Sequence, residues 1–507
     1  MTEHEGVGAW ITRRAAMTPG RTAVVFGERS LTYAELADRV ARLADRLRAA
    51  GVEAGSRVAY LGTNHPSFVE AMFAAHRLGA IFVPLNFRLA APEIAYVLAD
   101  SEPEVLIYGP GSRNVVRALD DLPGAVVAVE EPDDGQLDYE TWLREGENDP
   151  GTADAAVRGE DIALILYTSG TTGRPKGAML SHANLVWNTY NLLVGVDITS
   201  EERTLISSPL FHVAALNQCL LPTLLKGGCA VILPGWDVDR AYDLIERERI
   251  TLLFGVTTMF AGLAGSPRWA EADLSSVRTV MSGGSAVPES LIHAFQDRGL
   301  VFCQGYGMTE TAPGATFLEG SESTRKVGSA GVPTMFTSVR VVRGDGGGAA
   351  PGEPGEVLVK GPNVSPGYWR DAEATAASRT DDGWFRSGDV AKLDDEGHLY
   401  VVDRVKDMFI SGGENVYPAE VENAIFAHPS VSEVAVIGVP DPTWGEVGCA
   451  YVVCGSGERP TLDALQEFLV SRLAKYKIPR ELHVVDGLPK TGSGKVQKAR
   501  LRSSRRA

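Results

Sequence analysis

One stretch of small and hydroxylated residues, Leu166 to Met179, has the composition of a phosphate-binding loop. It reads Leu-Tyr-Thr-Ser-Gly-Thr-Thr-Gly-Arg-Pro-Lys-Gly-Ala-Met and follows an apolar run, Ile162–Leu166, that predicts a buried strand. Small residues let backbone N–H groups approach a phosphate, and Lys176 adds a positive charge. The segment is not a Walker loop, because only two residues separate Gly170 from Gly173 and a glycine follows the lysine.

The hydroxyl groups of this loop can donate to phosphate oxygens or bind a magnesium ion, which prefers oxygen ligands. A loop of glycine, serine and threonine after a strand is often only a flexible surface connection. The particular order of residue types favours the phosphate-binding interpretation here. The hydroxyls belong to Thr168, Ser169, Thr171 and Thr172.

Two later segments carry groups that suit a nucleotide. Met281–Pro288, Met-Ser-Gly-Gly-Ser-Ala-Val-Pro, follows an apolar run, and such a sequence is often only a tight turn. Gln304–Thr311 contains Tyr306, whose aromatic face could stack on a base, and Glu310, a carboxylate that could bind Mg²⁺ together with phosphates and waters. The segment also fits the start of a capped helix at Thr309, and helix starts favour anions.

Taken together, the segments are identified as motifs of the adenylate-forming superfamily, which includes acyl-CoA synthetases, adenylation domains of peptide synthetases and luciferases. The loop at 166–179 resembles its phosphate-binding motif, and Gly383–Asp389 resembles its ribose-binding motif. Asp403–Glu420 resembles the hinge motif, and Leu488–Lys498 resembles the motif that carries the catalytic lysine. The motifs occur in order, so the resemblance covers nearly all of the 507 residues.

The resemblance implies a role for each matching residue. It makes Lys495 the catalytic lysine and Lys406 the hinge about which the C-terminal domain rotates. Glu310, Thr168 and His212 are implied to be catalytic as well, and the magnesium ion is assigned to Thr168 and Glu310. A lone histidine among apolar residues is otherwise interpreted as a buried structural residue.

Three further groups of residues follow from the same resemblance. The residues implied to bind ATP or AMP are Thr168, Ser169, Gly170, Thr171, Thr172, Gly173, Lys176, Gly283, Gly284, Ser285, Gly305, Tyr306, Gly307, Thr309, Asp389 and Arg404. The CoA tunnel is assigned to Gly412 and Gly413. The acyl pocket is assigned to His212, Val213, Ala214, Val256 and Met308.

Hydrophobic periodicity predicts the elements that must position these residues. An apolar stripe between residues 31 and 51 predicts a helix that Thr32 and Glu35 cap. Short apolar strands then alternate with helices, which is typical of a parallel sheet in α/β layers with ligands at the strand ends. Residues 130–160 are predicted to be irregular, and the short strands after residue 350 favour antiparallel sheet.

The predicted fold is α/β, with a large N-terminal domain of layered α/β subdomains plus a small β-barrel-like region, and a small mobile α+β C-terminal domain. A chain of 507 residues is too long for one hydrophobic core. The change of pattern predicts an N-terminal domain at residues 1–403 and a C-terminal domain at 404–507. A helix is predicted over 462–474, and the basic tail, Arg500–Arg506, is predicted to be mobile.

Composition argues against several classes of protein. Forty-eight basic and 65 acidic residues give a net charge of −17, which argues against nucleic-acid binding. Five cysteines without metal-ligand spacing, and an N-terminus without an apolar signal segment, favour a cytoplasmic location. No apolar run is long enough to span a bilayer. Peripheral membrane contact and a homodimer stay open.

The resemblance implies an AMP-forming acid–CoA ligase that uses ATP, Mg²⁺ and CoA and passes through acyl-AMP and pyrophosphate. The tracts Pro209–Ala215, Tyr368–Asp389 and Ser411–Glu420 look most like bacterial, in particular actinobacterial, fatty-acyl-CoA synthetases, which predicts a medium- or long-chain fatty acid. An aryl-acid CoA ligase and a stand-alone adenylation enzyme that loads a carrier protein are the alternatives. A luciferase-type oxygenase has no support in the chain, and a non-enzymatic nucleotide sensor is disfavoured because Lys495 and Glu310 are present.

Overall fold

The computed structural model describes residues 5–148, 155–168, 175–284, 287–404, 407–411, 414–455, 459–470, 472–491 and 495–505. The α-helices in these ranges are α1 (Trp10–Met17), α2 (Tyr33–Ala49), α3 (Pro66–Arg77), α4 (Ala91–Ser101), α5 (Arg113–Arg117), α6 (Tyr139–Glu145), α7 (His182–Gly195), α8 (Val213–Ala215), α9 (Leu221–Lys226), α10 (Val238–Arg247), α11 (Thr257–Ala264), α12 (Glu289–Gln296), α13 (Ala372–Ala377), α14 (Pro418–Phe426), α15 (Leu462–Val470) and α16 (Lys498–Ser504). Short 3₁₀ turns lie at Val7–Ala9, Pro267–Ala270, Thr309–Thr311, Gly320–Glu322 and Lys475–Lys477, and a π-helical segment, Leu216–Leu220, joins α8 to α9.

Helix α2 begins at the predicted capping box. The Thr32 hydroxyl accepts from the Glu35 N–H at 3.2 Å, and the Glu35 carboxylate accepts from the Thr32 N–H at 2.8 Å. Such a cap stabilises a helix by about 1 kcal/mol. The apolar stripe of α2, represented by Leu36, Val40 and Leu43, is fully buried, which confirms the predicted helix and its inward face.

The first sheet is mostly parallel and carries much of the candidate site. Its strand order is β16-β15-β14-β13-β12-β10-β11-β1-β2, with parallel pairing from β1 through β11, β10, β12 and β13 to β14 and antiparallel pairing at both ends. The strands are β1 (Thr22–Phe26), β2 (Arg29–Thr32), β10 (Arg203–Ile206), β11 (Cys229–Ile232), β12 (Leu252–Gly255), β13 (Thr279–Ser282), β14 (Val301–Gly307), β15 (Gly314–Leu318) and β16 (Val332–Pro333).

The second sheet has the order β19-β9-β8-β4-β3-β5-β6-β7 and is parallel from β8 to β7. Its strands are β3 (Arg57–Leu61), β4 (Ile81–Leu85), β5 (Val105–Tyr108), β6 (Ala125–Ala128), β7 (Leu137–Asp138), β8 (Ile162–Thr168), β9 (Lys176–Ser181) and β19 (Gly367–Tyr368). One continuous cluster of buried side chains joins both sheets through α2, α3 and α7. The layered α/β arrangement predicted for the N-terminal part is therefore confirmed.

Two smaller sheets form the rest of the described chain. The antiparallel third sheet contains β17 (Ser338–Val342), β18 (Gly355–Lys360), β20 (Phe385–Leu393) and β21 (Leu399–Arg404) in that order. The fourth contains β22 (Phe409–Ser411), β23 (Glu414–Val416), β24 (Val431–Asp441), β25 (Gly445–Cys454) and β26 (Glu481–Val484). Buried side chains of the fourth sheet, α14, α15 and α16 pack on one another in two clusters, so this small α+β part has its own core.

The described residues of the range 130–160, which are 130–148 and 155–160, are more ordered than predicted. They contain β7 and α6, and the Asp138 carboxylate caps α6 by accepting from the Thr141 N–H at 2.8 Å. The Tyr139 side chain is buried and donates to Glu70 at 2.6 Å. The prediction was wrong because one short helix gives too little periodicity to stand out from an acidic, glycine-rich segment.

Two predictions near the C-terminus are also corrected. Helix α15 ends at Val470, short of residue 474, and the N–H groups of Arg472 and Leu473 then share the Leu469 carbonyl at 2.9 Å each. The basic tail forms α16, in which Leu501 is buried and Arg502 lies 2.9 Å from Asp407. Apolar burial and ion pairing thus hold a segment whose charge suggested mobility.

No helix among the described residues has both the length and the apolar character needed to cross a bilayer.

Candidate active site

Predicted acyl and nucleotide residues follow neighbouring parallel strands of the first sheet. Val256 follows β12, Gly283 follows β13 and Met308 follows β14. A methyl group placed on the Gly283 α-carbon would lie 3.6 Å from the Gly305 carbonyl oxygen, so these two glycines are adjacent. Because the carboxyl ends of parallel strands meet at one edge, the sheet brings these segments together where α/β proteins bind ligands.

The end of β14 requires glycine at position 307. A β-carbon there would lie 1.6 Å from the Pro313 carbonyl oxygen, far inside van der Waals contact. The chain can therefore fold back on itself directly after the strand, and this close approach sets the place of the next turn.

That turn presents Thr309 and Glu310. The sequence also fitted the start of a capped helix here, and the structure has a single 3₁₀ turn, Thr309–Thr311. The Met308 N–H donates to the Thr311 hydroxyl at 3.0 Å, and Ala312 adopts a left-handed φ of 62°, which ends the turn. A single turn has little macrodipole, so the side chains of the turn, and not a helix end, must provide any anion or metal binding.

Buried asparagines connect this turn to the predicted acyl segment. The Asn188 side chain of α7 accepts from the Gly314 N–H at 2.9 Å and donates to the Asn217 carbonyl at 3.1 Å. The Asn217 side chain in turn donates to the Ala312 carbonyl. Because buried amide groups are costly to leave unpaired, these bonds fix the acyl segment relative to the Glu310 turn.

Tyr306 and Asp389 meet across two sheets. The Tyr306 hydroxyl donates to the Asp389 carboxylate at 2.8 Å, and the largely buried Asp389 has its own N–H bonded to the Ser387 hydroxyl at 3.0 Å. Arg404 is the strand partner of Asp389 in the β20–β21 pair. The residues predicted to bind base and ribose are thus neighbours.

The ends of the phosphate-binding loop are held by the β8–β9 pair. Thr168 and Lys176 face each other in the register, with 3.5 Å between the Thr168 hydroxyl and the Lys176 carbonyl oxygen. The Lys176 ammonium lies 3.6 Å from the Asp371 carboxylate. This partner was not predicted, and it supplies a counter-charge for the lysine.

The Glu310 carboxylate accepts a hydrogen bond of 2.8 Å from the Tyr368 hydroxyl. Burial, and then the charge of Glu310, raise the pKa of Tyr368 well above its usual value, so the phenol remains a donor at neutral pH. The Lys176 ammonium lies 5.6 Å from the centre of the Tyr368 ring. Tyr368 therefore contacts both a predicted metal ligand and a predicted phosphate ligand.

The donor set at this place fits a magnesium ion. Thr168 and Glu310 offer oxygen atoms, the ligands that Mg²⁺ prefers, and one or two protein ligands suffice when phosphates and waters complete the shell. Tyr368 donates to the Oε1 atom of Glu310, and within the described part of the chain no group donates to its Oε2 atom. No direct bond joins Thr168 to Glu310 among the described residues; β9 lies beside the turn that carries Glu310.

Lys495 reaches the first sheet from the C-terminal part. Its Cε atom would lie 3.5 Å from a methyl group placed on Gly284, directly after β13. The Thr491 N–H donates to the Lys495 carbonyl at 2.7 Å, and the Lys495 N–H donates to the Thr491 hydroxyl at 3.2 Å. These bonds hold the lysine backbone while its side chain points to a predicted nucleotide segment.

Aromatic and small side chains surround His212. Its ring lies 4.2 Å from that of Phe211, and the Phe211 ring meets Phe87 edge-to-face at 5.4 Å. Val213 is buried, and Ala214 is half-buried. The surroundings are apolar and aromatic, as the acyl-pocket prediction requires, but the roles of His212, Val213, Ala214, Val256 and Met308 remain predictions.

Several predicted residues lie outside the described ranges: Ser169, Gly170, Thr171, Thr172, Gly173, Ser285, Lys406, Gly412 and Gly413. Arg404 is described through its backbone only. Sequence reasoning overlooked four residues that shape the site, Tyr368, Asp371, Asn188 and Asn217. The sequence Ser365-Pro-Gly-Tyr368 could have indicated a constrained turn that positions the tyrosine. No local pattern marks Asn188 or Asn217, because their hydrogen-bond partners lie far away in the chain.

The fold and this convergence of motifs define an adenylate-forming enzyme, and the family comparisons agree. The AMP-binding enzyme family matches residues 11–369, and the AMP-binding enzyme C-terminal domain matches residues 420–495. The chain therefore belongs to the AMP-binding enzyme family, which confirms the predicted superfamily.

Individual relatives narrow the class to acid–CoA ligases. The chain is 52% identical to a feruloyl-CoA synthase of Amycolatopsis, over 98% of this chain and 99% of that protein. It is 46% identical to an indoleacetate–CoA ligase of Aromatoleum aromaticum, with 97% of both chains covered. It is 39% identical to the long-chain-fatty-acid–CoA ligase FadD13 of Mycobacterium tuberculosis, with 90% and 89% covered.

Solved structures of the family superimpose over nearly the whole chain. An o-succinylbenzoate–CoA synthetase from Bacillus subtilis in complex with ATP and a magnesium ion has a TM-score of 0.85 at 34% identity, with 97% of this chain and 99% of that chain covered. The anthranilate–CoA ligase AuaEII with anthranoyl-AMP has a TM-score of 0.92 at 26% identity, with 99% and 97% covered. These likenesses support the expected class, an AMP-forming acid–CoA ligase; the expected fatty-acid substrate is not confirmed.

Proposed function

We propose that this chain is an ATP-dependent ligase that joins an aromatic carboxylic acid of the ferulate type to CoA through an acyl-adenylate. The approach of Lys495, from the small C-terminal part, to Gly284 carries the adenylation proposal, because Gly284 follows β13, the parallel neighbour of the strand β14 that carries Tyr306. The 52% identity to a feruloyl-CoA synthase over almost the full length of both chains supports the substrate class.

In the first half-reaction, a carboxylate oxygen of the acid attacks the α-phosphorus of ATP. The new O–P bond forms as the bond to the bridging oxygen breaks, so acyl-AMP and pyrophosphate result. The difficulty is charge, because an anion attacks a polyanion. Lys176 and Lys495 supply cations, and the magnesium ion, held by Thr168 and Glu310, neutralises phosphate charge when bound.

In the second half-reaction, the CoA sulfur attacks the acyl carbonyl carbon. The bond to the AMP oxygen breaks, AMP leaves, and the thiol proton is released to solvent. We propose that the part from residue 404 onward turns about Lys406 between the two steps, so that Lys495 leaves the cleft and Gly412 and Gly413 line the thiol path. Such alternation is a switch between two arrangements.

An aromatic acid fits the walls described around His212. Phe87 and Phe211 form an edge-to-face pair beside the histidine, and aromatic rings pack favourably on one another in edge-to-face or offset arrangements. The neighbouring Val213 and Ala214 add apolar surface without charge. A planar cinnamate-type acid would place its carboxylate toward the nucleotide and its ring among these side chains.

A fatty acid is the second candidate substrate. The 39% identity to FadD13 and the apolar character of the same wall support it. A cytoplasmic location remains a prediction from the sequence, and a homodimer stays open.

We expect acid-dependent AMP release to separate the candidates. The substrates tested would be ferulate, coumarate, indoleacetate, benzoate, octanoate and palmitate. The value of kcat/KM for ferulate should exceed that for palmitate by roughly 100-fold, which is the discrimination that the shape of an apolar pocket can provide. AMP release should also require CoA for sustained turnover. A preference for palmitate would select the fatty-acid candidate, and turnover only with an acyl-carrier protein would contradict the CoA assignment.

A further inference from the structure

Residues 365–371 connect the two halves of the proposed phosphate site. The Ser365 N–H donates to the Glu310 carbonyl at 2.7 Å, and the Trp369 N–H donates to the Gly177 carbonyl at 2.7 Å. Between them, Gly367 and Tyr368 pair with Met179 and Ala178 of β9. The segment is therefore bonded at one end to the turn that carries Glu310 and at the other to the strand that carries Lys176.

The conformation of this segment is possible only with glycine at position 367. Its φ is 148°, and a β-carbon there would lie 2.4 Å from Cγ2 of Thr375. The Tyr368 N–H donates to the Thr375 hydroxyl at 2.9 Å. The backbone thus fixes the direction in which the Tyr368 side chain leaves the strand.

Tyr368 stands between two opposite charges. Its hydroxyl donates to Glu310 at 2.8 Å, and the Lys176 ammonium lies 5.6 Å from its ring centre. Lys176 is paired with Asp371 at 3.6 Å. Asp371 cannot swing freely toward other partners, because its carboxylate also caps α13 by accepting from the Ala374 N–H at 2.8 Å.

We propose that Tyr368 is a positioning residue for the metal: its hydroxyl orients the Glu310 carboxylate, and its ring keeps Lys176 from pairing with that carboxylate. This inference rests on the proposed function, in which Glu310 binds the magnesium ion of MgATP. A lysine–glutamate pair would use the metal ligand and a phosphate ligand to neutralise each other. The ring separates them, so both charges stay available for the nucleotide.

Nucleotide binding with and without metal tests the assignment. Calorimetric titration with α,β-methylene-ATP, which cannot transfer its AMP group to an acid, gives the affinity of this nucleotide in Mg²⁺ and in EDTA. In Tyr368→Phe, the gain in nucleotide affinity caused by Mg²⁺ should fall by about tenfold or more. Loss of a residue that hydrogen-bonds to a metal ligand typically weakens metal binding on this scale. The affinity in EDTA should stay at the wild-type value, since the ring remains in place.

Tyr108→Phe, Glu310→Gln and the double variant of Glu310 and Tyr368 complete the design. Tyr108→Phe removes a phenol that donates to Gln136 at 2.6 Å outside the site, and it should bind like the wild type under both conditions. Adding Tyr368→Phe to Glu310→Gln should cause no loss of the Mg²⁺ effect beyond the loss in Glu310→Gln alone, because the hydroxyl acts through that carboxylate. The Tm of each variant, measured separately by thermal unfolding, shows whether the variant is folded.

Equal losses of affinity in Mg²⁺ and in EDTA would show that Tyr368 only supports the structure and would overturn the inference. An unchanged Mg²⁺ effect in Tyr368→Phe would overturn it as well, with the proposed function intact. Failure of the wild-type protein to bind the nucleotide with Mg²⁺ would instead reject the proposed function, and the inference with it.

Discussion

Replacing Lys495 with alanine should reduce the rate of adenylation by about 10²–10³-fold, the scale of one lost charge-stabilising group. The reason is that the Lys495 side chain approaches Gly284, just past the carboxyl end of β13, which is one of the residues proposed to bind the nucleotide. Thioester formation from synthetic acyl-AMP and CoA should proceed at nearly the wild-type rate. Acid-dependent pyrophosphate exchange measures the first step, and thioester release measures the second.

Lys490→Ala is the matched control for that experiment. Lys490 lies on the same hairpin, since it pairs with Val496, but its ammonium binds Glu433 at 2.7 Å. Loss of this half-exposed ion pair should lower the free energy of unfolding by less than about 1 kcal/mol and leave the rates of both half-reactions unchanged. Equal losses in both half-reactions for Lys495→Ala would show that the lysine does not serve adenylation alone.

Glu310→Gln should lower the rate of adenylation by about 10²-fold or more and raise the Mg²⁺ concentration needed for half-maximal activity. Glutamine keeps the size of the side chain and an oxygen that can accept from Tyr368, but it removes the negative charge that a hard cation needs. Pyrophosphate exchange over a magnesium titration measures both effects, and high magnesium should restore part of the rate.

The exposed Glu319, at the end of β15, provides a charge-matched control for this change. Glu319→Gln removes the same charge at the opposite end of the β14–β15 pair, away from the Glu310 turn, and should leave the magnesium dependence unchanged. If the Glu310→Gln variant catalysed adenylation at the normal rate at every magnesium concentration, the assignment of Glu310 as a metal ligand would be wrong. The turn could then contribute only to binding the phosphates.

Local patterns predicted the elements of this protein well where one segment contains all the information. The Thr32–Glu35 cap and the stripe of α2 depend on neighbours in the chain, and the structure has them as predicted. The order of strands could not be predicted in the same way. Pairing of β1 with β11, and of β9 with β19, joins residues that are far apart in sequence.

The candidate site shows the same limit. Motif order indicated Tyr306, Asp389 and Lys495, but nothing in the motifs says that the first two share a 2.8 Å hydrogen bond. Tyr368 and Asp371 were overlooked because their importance comes from partners on other elements. Charge alone also does not show that Lys498 binds Glu422 at 2.8 Å and that only 14% of its side chain is exposed.

The substrate prediction was the weakest because pocket shape depends on packing. The segment Pro209–Ala215 resembled fatty-acyl-CoA synthetases, whereas the relatives of higher identity act, by their names, on ferulate and indoleacetate. Apolar residues line pockets for rings and for alkyl chains alike. The Phe87–Phe211 pair, which favours a ring, becomes visible only when the fold brings residue 87 to residue 211.

Isotope transfer from the acid to AMP tests the proposed adenylate chemistry most directly. The protein would be incubated with ATP, Mg²⁺, CoA and ferulate labelled with ¹⁸O in both carboxylate oxygens, and the products analysed by mass spectrometry. Attack of the carboxylate on the α-phosphorus predicts feruloyl-CoA, unlabelled pyrophosphate and AMP that carries a single ¹⁸O atom. Label in inorganic phosphate together with ADP, or unlabelled AMP, would contradict the account.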